Sequence, residues 1–161
     1  MSGVYVLSTV GESPSVLSEL LWWLAIDQRQ PIAGIEVWAT GRGADGLRTL
    51  VASSVWADLQ KAVGVLPTPQ PAGAEAEAGY GFRIHRFRHE GVILDDVRSE
   101  AESASVTALL HDRVRTLRAD LSARIPIVGC LAGGRKTVST ALQTAFSLQA
   151  GERDRLVHTV L

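Results

Sequence analysis

Two glycines followed by two basic residues form the part of the sequence best suited to chemistry. They lie in residues 132–137, Ala-Gly-Gly-Arg-Lys-Thr, between an apolar run and a helical pattern. Glycine lets the backbone approach a ligand closely, and the first turn of a helix presents unpaired N–H groups with partial positive charge. Lys136 adds a mobile ammonium group. The turn therefore predicts a binding site for an anion such as a phosphate.

The spacing of this turn differs from that of two common phosphate-binding motifs. It has neither the G-x-x-x-x-G-K spacing of a P-loop nor the G-x-G-x-x-G spacing of a dinucleotide-binding turn. A tight strand-to-helix turn with solvated basic residues stays open as an alternative, because a fold alone does not imply a function.

A second group of small polar residues follows the first apolar run. Ser8 and Thr9 precede Gly11, and Ser13 with Pro14 predicts the start of a helix with Ser13 as its N-cap. Ligands of open parallel sheets bind beyond the carboxyl ends of the strands, near the switch in strand order. We expect this turn and the glycine turn to face one crevice. Taken alone, Ser8 and Thr9 are more typical of turn formers or helix caps than of ligand contacts.

Further polar residues follow the other predicted strands. Thr40 ends the second strand, and Arg98 lies in the polar junction of residues 95–98, Asp-Asp-Val-Arg. Both are candidate ligand contacts. The two acids of the junction are interpreted as a polar lead-in to a helix capped by Ser99, and His158 is interpreted as a structural histidine.

The elements that must position these residues alternate between strand and helix. The patterns predict strands at residues 4–7, 34–40, 82–87, 125–131 and 156–161, and helices at residues 14–27, 45–63, 101–121 and 137–149. This alternation predicts an α/β fold with a Rossmann-like, open, mainly parallel sheet flanked by helices. Residues 67–79, rich in Pro, Ala, Glu and Gly, predict a flexible surface loop.

Composition limits the function classes. The 161 residues fit a single domain spanning residues 1–161, and a net charge of −1 disfavours long DNA or RNA as the main ligand. The single cysteine, Cys130, cannot form an intrachain disulfide, and no Cys/His set has metal-ligand spacing. We therefore expect no metal or other cofactor. Without a signal-peptide pattern or a membrane-spanning run, the expected location is cytoplasmic, away from membranes.

Four segments, taken in order, resemble those of CRISPR-associated Rossmann fold (CARF) domains. They are residues 6–14, 93–98, 132–137 and 154–161. The resemblance covers most of the chain and is closest to the ring nucleases of this family. Its most specific parts are the Gly-Arg-Lys-Thr turn at residues 134–137 and the Asp-Arg-Leu-x-His segment at residues 154–158.

The resemblance implies a homodimer that binds a cyclic oligoadenylate, the second messenger of type III CRISPR immunity, across its two-fold axis. It also implies metal-independent cleavage, in which a ribose 2′-oxygen attacks the adjacent phosphorus and leaves linear products with a 2′,3′-cyclic phosphate. Such a reaction needs in-line positioning and charge neutralisation more than a strong base. Cyclic tetra-adenylate is the first candidate ring, and a ring of six adenylates stays open.

The resemblance also assigns roles to individual residues. Lys136 would stabilise the phosphorane, the amides of Gly133 and Gly134 would hold the phosphate, and Ser8 or Thr9 would orient the ribose or the nucleophile. The other ligand contacts that it implies are Gly11, Thr40, Arg98, Ala132, Arg135 and Thr137.

Many CARF proteins carry a C-terminal effector, often a ribonuclease with an Arg-x4-6-His motif, and the sequence has no such segment. Residues 111–113, His-Asp-Arg, have the wrong order for it. The chain is therefore expected to be either a stand-alone ring nuclease that switches the signal off or a non-catalytic sensor whose effector is missing or separate. A domain for another nucleotide is the third alternative.

Overall fold

The computed structural model describes residues 3–64, 66–67, 70, 81–131 and 135–158. A π-helical turn, Trp23–Asp27, continues the first helix. The elements in chain order are β1 (Val4–Val10), α1 (Ser15–Trp22), β2 (Ile32–Ala39), α2 (Gly41–Val51), α3 (Ser54–Val63), β3 (Phe82–Arg86), β4 (Arg88–His89), β5 (Val92–Ile93), α4 (Glu100–Asp120), β6 (Ile127–Cys130), α5 (Lys136–Gln149) and β7 (Arg155–Val157).

Five of these strands form one sheet in the order β3-β2-β1-β6-β7. Every pairing in this sheet is parallel. The chain moves outward from β1 to β3 and then returns to the other side of β1 with β6, so strand order switches between β1 and β6. The predicted Rossmann-like α/β fold is confirmed.

Helices cover both faces of the sheet. All seven residues of β1 are buried, as expected for a central strand of a parallel sheet with helices on each side. Val6 and Val128 share one core cluster with α1, α2 and α3, while Leu7 and Ile127 share the other with α4 and α5. Alternating side chains of each strand thus anchor two separate helical layers.

The prediction of a single helix at residues 45–63 is wrong, because two helices occupy this region. Thr40 caps α2 by accepting a hydrogen bond from the Gly43 amide at 3.2 Å, so this helix begins earlier than predicted. Ser53 then caps α3 by accepting from the Trp56 amide at 3.5 Å. The side-chain caps set the boundaries of α2 and α3 in a region where the apolar pattern continues without a break.

The short hairpin of β4 and β5 was also not predicted. Its turn places Glu90 and Gly91 at positive φ, 49° and 79°, a conformation that glycine adopts readily.

Two predicted features fall largely outside the described residues. The expected flexible loop at residues 67–79 contributes only Pro67 and Gln70 to them, and the last strand is described as Arg155–Val157, with residues 159–161 beyond it. Within the described ranges, no helix combines the length and the apolar character needed to cross a membrane.

Candidate ligand-binding cleft

A cleft of about 910 Å³ opens at the carboxyl edge of the parallel sheet. Its lining includes the residue that directly follows each of the five strands, namely Gly11, Thr40, Phe87, Leu131 and His158. The switch in strand order between β1 and β6 lies at the same edge. The cleft therefore occupies the position where open α/β sheets bind their ligands.

Several helices begin at this cleft, and two of them, α2 and α5, differ in how their first turns are satisfied. The side chain of Thr40 caps α2, whereas Arg135, the N-cap residue of α5, makes no side-chain capping bond. The first residue of α5 is Lys136, which lines the cleft. A helix start with uncapped N–H groups and a lysine is a favourable place for a phosphate oxygen.

Charges of both signs line the cleft. The basic residues of the lining are Arg42, Arg98, Arg135 and Lys136, and the acidic ones are Glu12, Asp95 and Asp96. The side chain of Lys136 is exposed and forms no ion pair or hydrogen bond with any other residue that the structure describes. Its ammonium group is therefore available to a ligand.

Arg135 and Asp96 form a two-point ion pair at the wall of the cleft. Arg135 donates from Nε to Asp96 Oδ1 at 2.6 Å and from Nη2 to Oδ2. Oδ1 also accepts from the Val97 amide at 2.8 Å, and Oδ2 lies 3.5 Å from Arg98 Nε. The hydrogen bonds from Arg135 lower the pKa of Asp96 to about 2. Asp96 is thus ionised at any physiological pH.

The junction that carries Asp96 is fixed to α4 by two hydrogen bonds at the start of the helix. Ser99 Oγ accepts from the Glu102 amide at 3.1 Å, and Glu102 Oε2 accepts from the Arg98 amide at 2.9 Å. The predicted cap at Ser99 is confirmed. The two hydrogen bonds hold the backbone next to Asp96 in one conformation.

Five of the predicted site residues meet in this cleft: Gly11, Thr40, Arg98, Arg135 and Lys136. Thr137 is exposed on α5 but does not line the cleft. Three others, Ala132, Gly133 and Gly134, lie outside the described residues.

Ser8 and Thr9 are placed differently from the other predicted residues. Both are fully buried in β1 and neither lines the cleft. The Ser8 hydroxyl donates to the carbonyl oxygen of Thr9 at 3.4 Å, while Thr9 Oγ1 has no hydrogen-bond partner among the described residues. Because neighbouring side chains of a strand point to opposite faces, the two hydroxyls lie on different sides of the sheet.

Sequence reasoning missed other residues of the cleft, among them Ser13, His158 and Asp96. Ser13 was expected to cap α1, but that helix begins at Ser15 with Pro14 at the cap position, and Ser13 lines the cleft. His158 was expected to be structural, yet it is exposed at the cleft. Asp96 was interpreted as part of a polar lead-in, and it binds Arg135. For His158, the signal available was its place in the Asp-Arg-Leu-x-His segment of the resemblance.

A second polar cluster lies inside the sheet, around the fully buried Glu36 of β2. Arg113 of α4 donates to it from Nε and Nη2, both at 2.6 Å. Tyr5 Oη donates at 3.2 Å and Trp38 Nε1 at 2.9 Å. Burial alone would raise the pKa of Glu36, but the hydrogen bonds and charge of Arg113 outweigh it and the pKa lies below its usual value. His85, stacked on Trp38, has its pKa lowered by burial.

The described residues contain no group of three or more His, Cys, Asp and Glu side chains placed to hold a metal ion.

Comparison with known families gives one match. The family described as CRISPR-associated protein NE0113 matches residues 77–161. The matched segment contains Asp96, Arg98, Arg135 and Lys136. No curated protein sequence matches the chain.

The chain resembles a number of solved structures weakly, and two of them serve as examples. One is a crystal structure described as a UDP-N-acetylglucosamine 2-epimerase from Listeria monocytogenes, with 14% identity, a TM-score of 0.46, and coverage of 99% of this chain and 31% of the other. The second, also described as a UDP-N-acetylglucosamine 2-epimerase, has 14% identity, a TM-score of 0.45, and coverage of 98% and 33%. The chain spans about a third of the length of these proteins.

Proposed function

The chain belongs to the family described as CRISPR-associated protein NE0113, and from this membership we propose that its cleft binds a cyclic oligoadenylate and cleaves the ring without a metal ion. Cyclic tetra-adenylate is the first candidate ligand. Cleavage would end the second-messenger signal of type III CRISPR immunity. The observation that carries the proposal is the position of Lys136 and the start of α5 in the cleft at the switch point of the sheet.

The size and lining of the cleft support a ligand larger than a mononucleotide. Ligand pockets span roughly 300–1,000 Å³, and this cleft, at about 910 Å³, is near the upper limit. Its four basic side chains suit several phosphates, and the partly exposed Leu131 offers apolar surface to an adenine ring. A cyclic oligoadenylate combines both groups in one molecule.

The proposed reaction is an internal transfer. The ribose 2′-oxygen attacks the adjacent phosphorus, the bond from phosphorus to the 5′-oxygen breaks, and the 2′-hydroxyl proton passes to the leaving 5′-oxygen. The products are linear, with a 2′,3′-cyclic phosphate at one end and a 5′-hydroxyl at the other. Negative charge grows on the phosphoryl oxygens in the transition state, and the Lys136 ammonium with the first turn of α5 would stabilise it. The amides of Gly133 and Gly134 are proposed to hold the same phosphate.

The proposal gives Ser8 or Thr9 the task of orienting the ribose or the nucleophile. Since both are buried in β1, this role requires a ligand-bound form in which the cleft deepens to reach them. Lys136 has no such requirement, because its side chain is already exposed at the cleft.

We propose that two copies of the chain bind one ring. A ring of four identical nucleotides has a two-fold axis, so a symmetric dimer can offer each half of the ring the same cleft. Each Lys136 would then contact a symmetry-related phosphate. Sedimentation of the protein with and without the ring measures this stoichiometry directly.

The decisive assay compares the only two lysines of the sequence, Lys136 and Lys61. Lys61 is exposed on α3 and is not part of the cleft lining, so Lys61→Ala is a matched control for Lys136→Ala. Labelled rings of four and six adenylates are incubated with excess protein in EDTA. We expect linear products from the wild type and Lys61→Ala, and a loss of at least about tenfold in cleavage rate for Lys136→Ala. Equal rates for all three proteins, or no linear product from the wild type, would contradict the proposal.

A non-catalytic sensor is the second candidate function. It is favoured by the burial of Ser8 and Thr9, which leaves the cleft without either proposed orienting hydroxyl. Tight binding with the ring recovered intact selects the sensor over the nuclease. If the rings of four and six adenylates both fail to raise the melting temperature, another nucleotide becomes the ligand to seek.

A further inference from the structure

We propose that Asp96 is a positioning residue, which fixes the Arg135 guanidinium at the wall of the cleft so that its remaining N–H groups meet a ligand phosphate. This inference rests on the proposed function, because a phosphate of the ring is the group that Arg135 is held to receive. The sequence alone assigned Asp96 no such role, and 39 positions separate it from Arg135.

Both oxygens of the Asp96 carboxylate are occupied. Oδ1 accepts from Arg135 Nε and from the Val97 amide, and Oδ2 accepts from Arg135 Nη2 with Arg98 Nε 3.5 Å away. One carboxylate therefore lies between two guanidinium groups of the cleft lining. Its charge reduces the repulsion that would otherwise separate them.

The hydrogen bonds to Asp96 use only one edge of the Arg135 guanidinium. An arginine has five N–H donors in a planar fork, and Asp96 takes the Nε and Nη2 side. The Nη1 group and the second hydrogen of Nη2 form the other edge, and no residue in the described part of the chain binds Nη1. This is an edge that can donate to two oxygens of one phosphate. A phosphate can thus bind Arg135 without breaking the ion pair.

Positioning matters because the Arg135 side chain is 61% exposed. A long, exposed side chain samples many rotamers, and a ligand that binds it must restrict them. The Asp96 side chain, at 25% exposure, is more confined, because its Oδ1 accepts from the Val97 amide. The backbone two residues further on is tied to α4, where Glu102 accepts from the Arg98 amide. The ion pair therefore connects the start of α4 to the start of α5 and preorganises the guanidinium.

The loss of charge and the loss of positioning predict opposite effects of Asp96→Asn on the affinity for the ring. Removing a negative charge from the cleft favours a phosphate, so charge alone predicts tighter binding. Loss of the two-point hold on Arg135 predicts weaker binding, because asparagine offers a single acceptor oxygen. The sign of the change in ring affinity therefore separates the two effects.

Asp95 provides a matched control. It is the adjacent carboxylate in the same cleft lining, and it makes no hydrogen bond or ion pair with a described residue. Asp95→Asn removes the same charge but frees no arginine. We expect it to leave the affinity for the ring unchanged or slightly higher.

The experiment is equilibrium binding of labelled cyclic tetra-adenylate to the full chain. We expect Asp96→Asn to weaken binding by about three- to tenfold and Arg135→Ala by about tenfold or more. The double variant should bind no more weakly than Arg135→Ala alone, because Asp96 acts through Arg135. Arg135→Lys keeps the charge but loses the fork, and it should weaken binding as Asp96→Asn does.

Two further readouts separate positioning from a loss of folding. The melting temperature of Asp96→Asn should stay close to that of the wild type, since exposed ion pairs contribute little to stability. The ¹⁵N-detected Nε–Hε signal of Arg135 should be protected from solvent exchange in the wild type and not in Asp96→Asn.

The outcomes are distinct from those that test the proposed function. A wild type that does not bind the ring removes both proposals. A wild type that binds it, with Asp96→Asn binding equally or more tightly, overturns only the positioning role. Additive losses in the double variant overturn it as well.

Discussion

Two arginine–carboxylate pairs in this protein have the same geometry and different surroundings. Arg113 binds Glu36 through Nε and Nη2, and Arg135 binds Asp96 through the same two atoms. Glu36 is fully buried, and each of its oxygens accepts a second hydrogen bond, Oε1 from Tyr5 and Oε2 from Trp38.

The pair at the cleft retains donors that the buried pair does not offer to a ligand. The Arg135 side chain is 61% exposed and borders a cleft, whereas that of Arg113 is 24% exposed and lies against the sheet. An arginine–carboxylate motif is therefore a functional candidate only where one edge of the guanidinium stays accessible. The buried pair connects α4 to β2 and belongs to the core.

The largest effect should come from breaking the buried pair. Arg113→Met would leave Glu36 charged and unpaired inside the sheet, and we expect a loss of about 3–5 kcal/mol in the free energy of unfolding. Urea denaturation measures this loss. Arg115→Met is the control, because Arg115 lies on the same helix and its one ion-pair partner among the described residues is the exposed Asp112. Its effect should stay within about 0.5 kcal/mol. A loss under about 1 kcal/mol in the free energy of unfolding of Arg113→Met would contradict the structural role given to the buried pair.

A smaller effect is expected from the buried hydroxyl of Ser8. Ser8→Ala should leave the affinity for the ring within about twofold of the wild type, because the side chain does not line the cleft. If Ser8 orients the nucleophile, as proposed, the single-turnover cleavage rate should fall by about tenfold. Binding and single-turnover kinetics on the same preparation measure the two separately. Equal losses in affinity and rate would instead make Ser8 a plain ligand contact.

The smallest expected effect is a change in the free energy of unfolding with pH. It comes from the surroundings of the buried Arg113–Glu36 pair and has no counterpart at the cleft pair. Burial lowers the pKa of His85, which lies 4.0 Å from Glu36, so the unfolded chain takes up a proton more readily than the folded one. The free energy of unfolding should therefore be highest above the ordinary histidine pKa and should fall as the pH drops from 7 to 5. Urea midpoints should show this fall in the wild type and a smaller one in His85→Gln.

The cleft pair should respond differently over the same range of pH. With the pKa of Asp96 at about 2, its charge does not change between pH 5 and 7, and the ion pair with Arg135 persists. An affinity for the ring that follows the titration of Asp96 in this range would contradict the assignment.

The helices that carry their own caps were predictable from local sequence. The apolar spacing of Val106, Leu110 and Val114 together with Ser99 predicted a helix at residues 101–121, and α4 spans Glu100–Asp120. Where two helices follow each other, the apolar pattern continued through the break, and only the cap at Ser53 marks it. Local signals thus locate a helix better than they separate two.

The candidate site was predictable only in part. Lys136 reaches the cleft because a strand followed by a turn and a helix must place the turn at the carboxyl edge of the sheet. The Arg135–Asp96 pair depends on how the starts of α4 and α5 meet, which no local pattern encodes. The burial of Ser8 depends on how far it lies from the end of β1. Ser8 is paired with Cys130 inside the sheet, whereas Gly11 lies beyond the end of the strand.

The central claim is that the start of α5, with Lys136, receives a phosphate of a cyclic oligoadenylate. Titration calorimetry of cyclic tetra-adenylate into the wild type, Lys136→Ala and Lys61→Ala tests it most directly. We predict saturable binding at one ring per two chains, weakened by about tenfold or more in Lys136→Ala and unchanged in Lys61→Ala. No saturable binding to the wild type, or equal affinity in all three proteins, would contradict the claim.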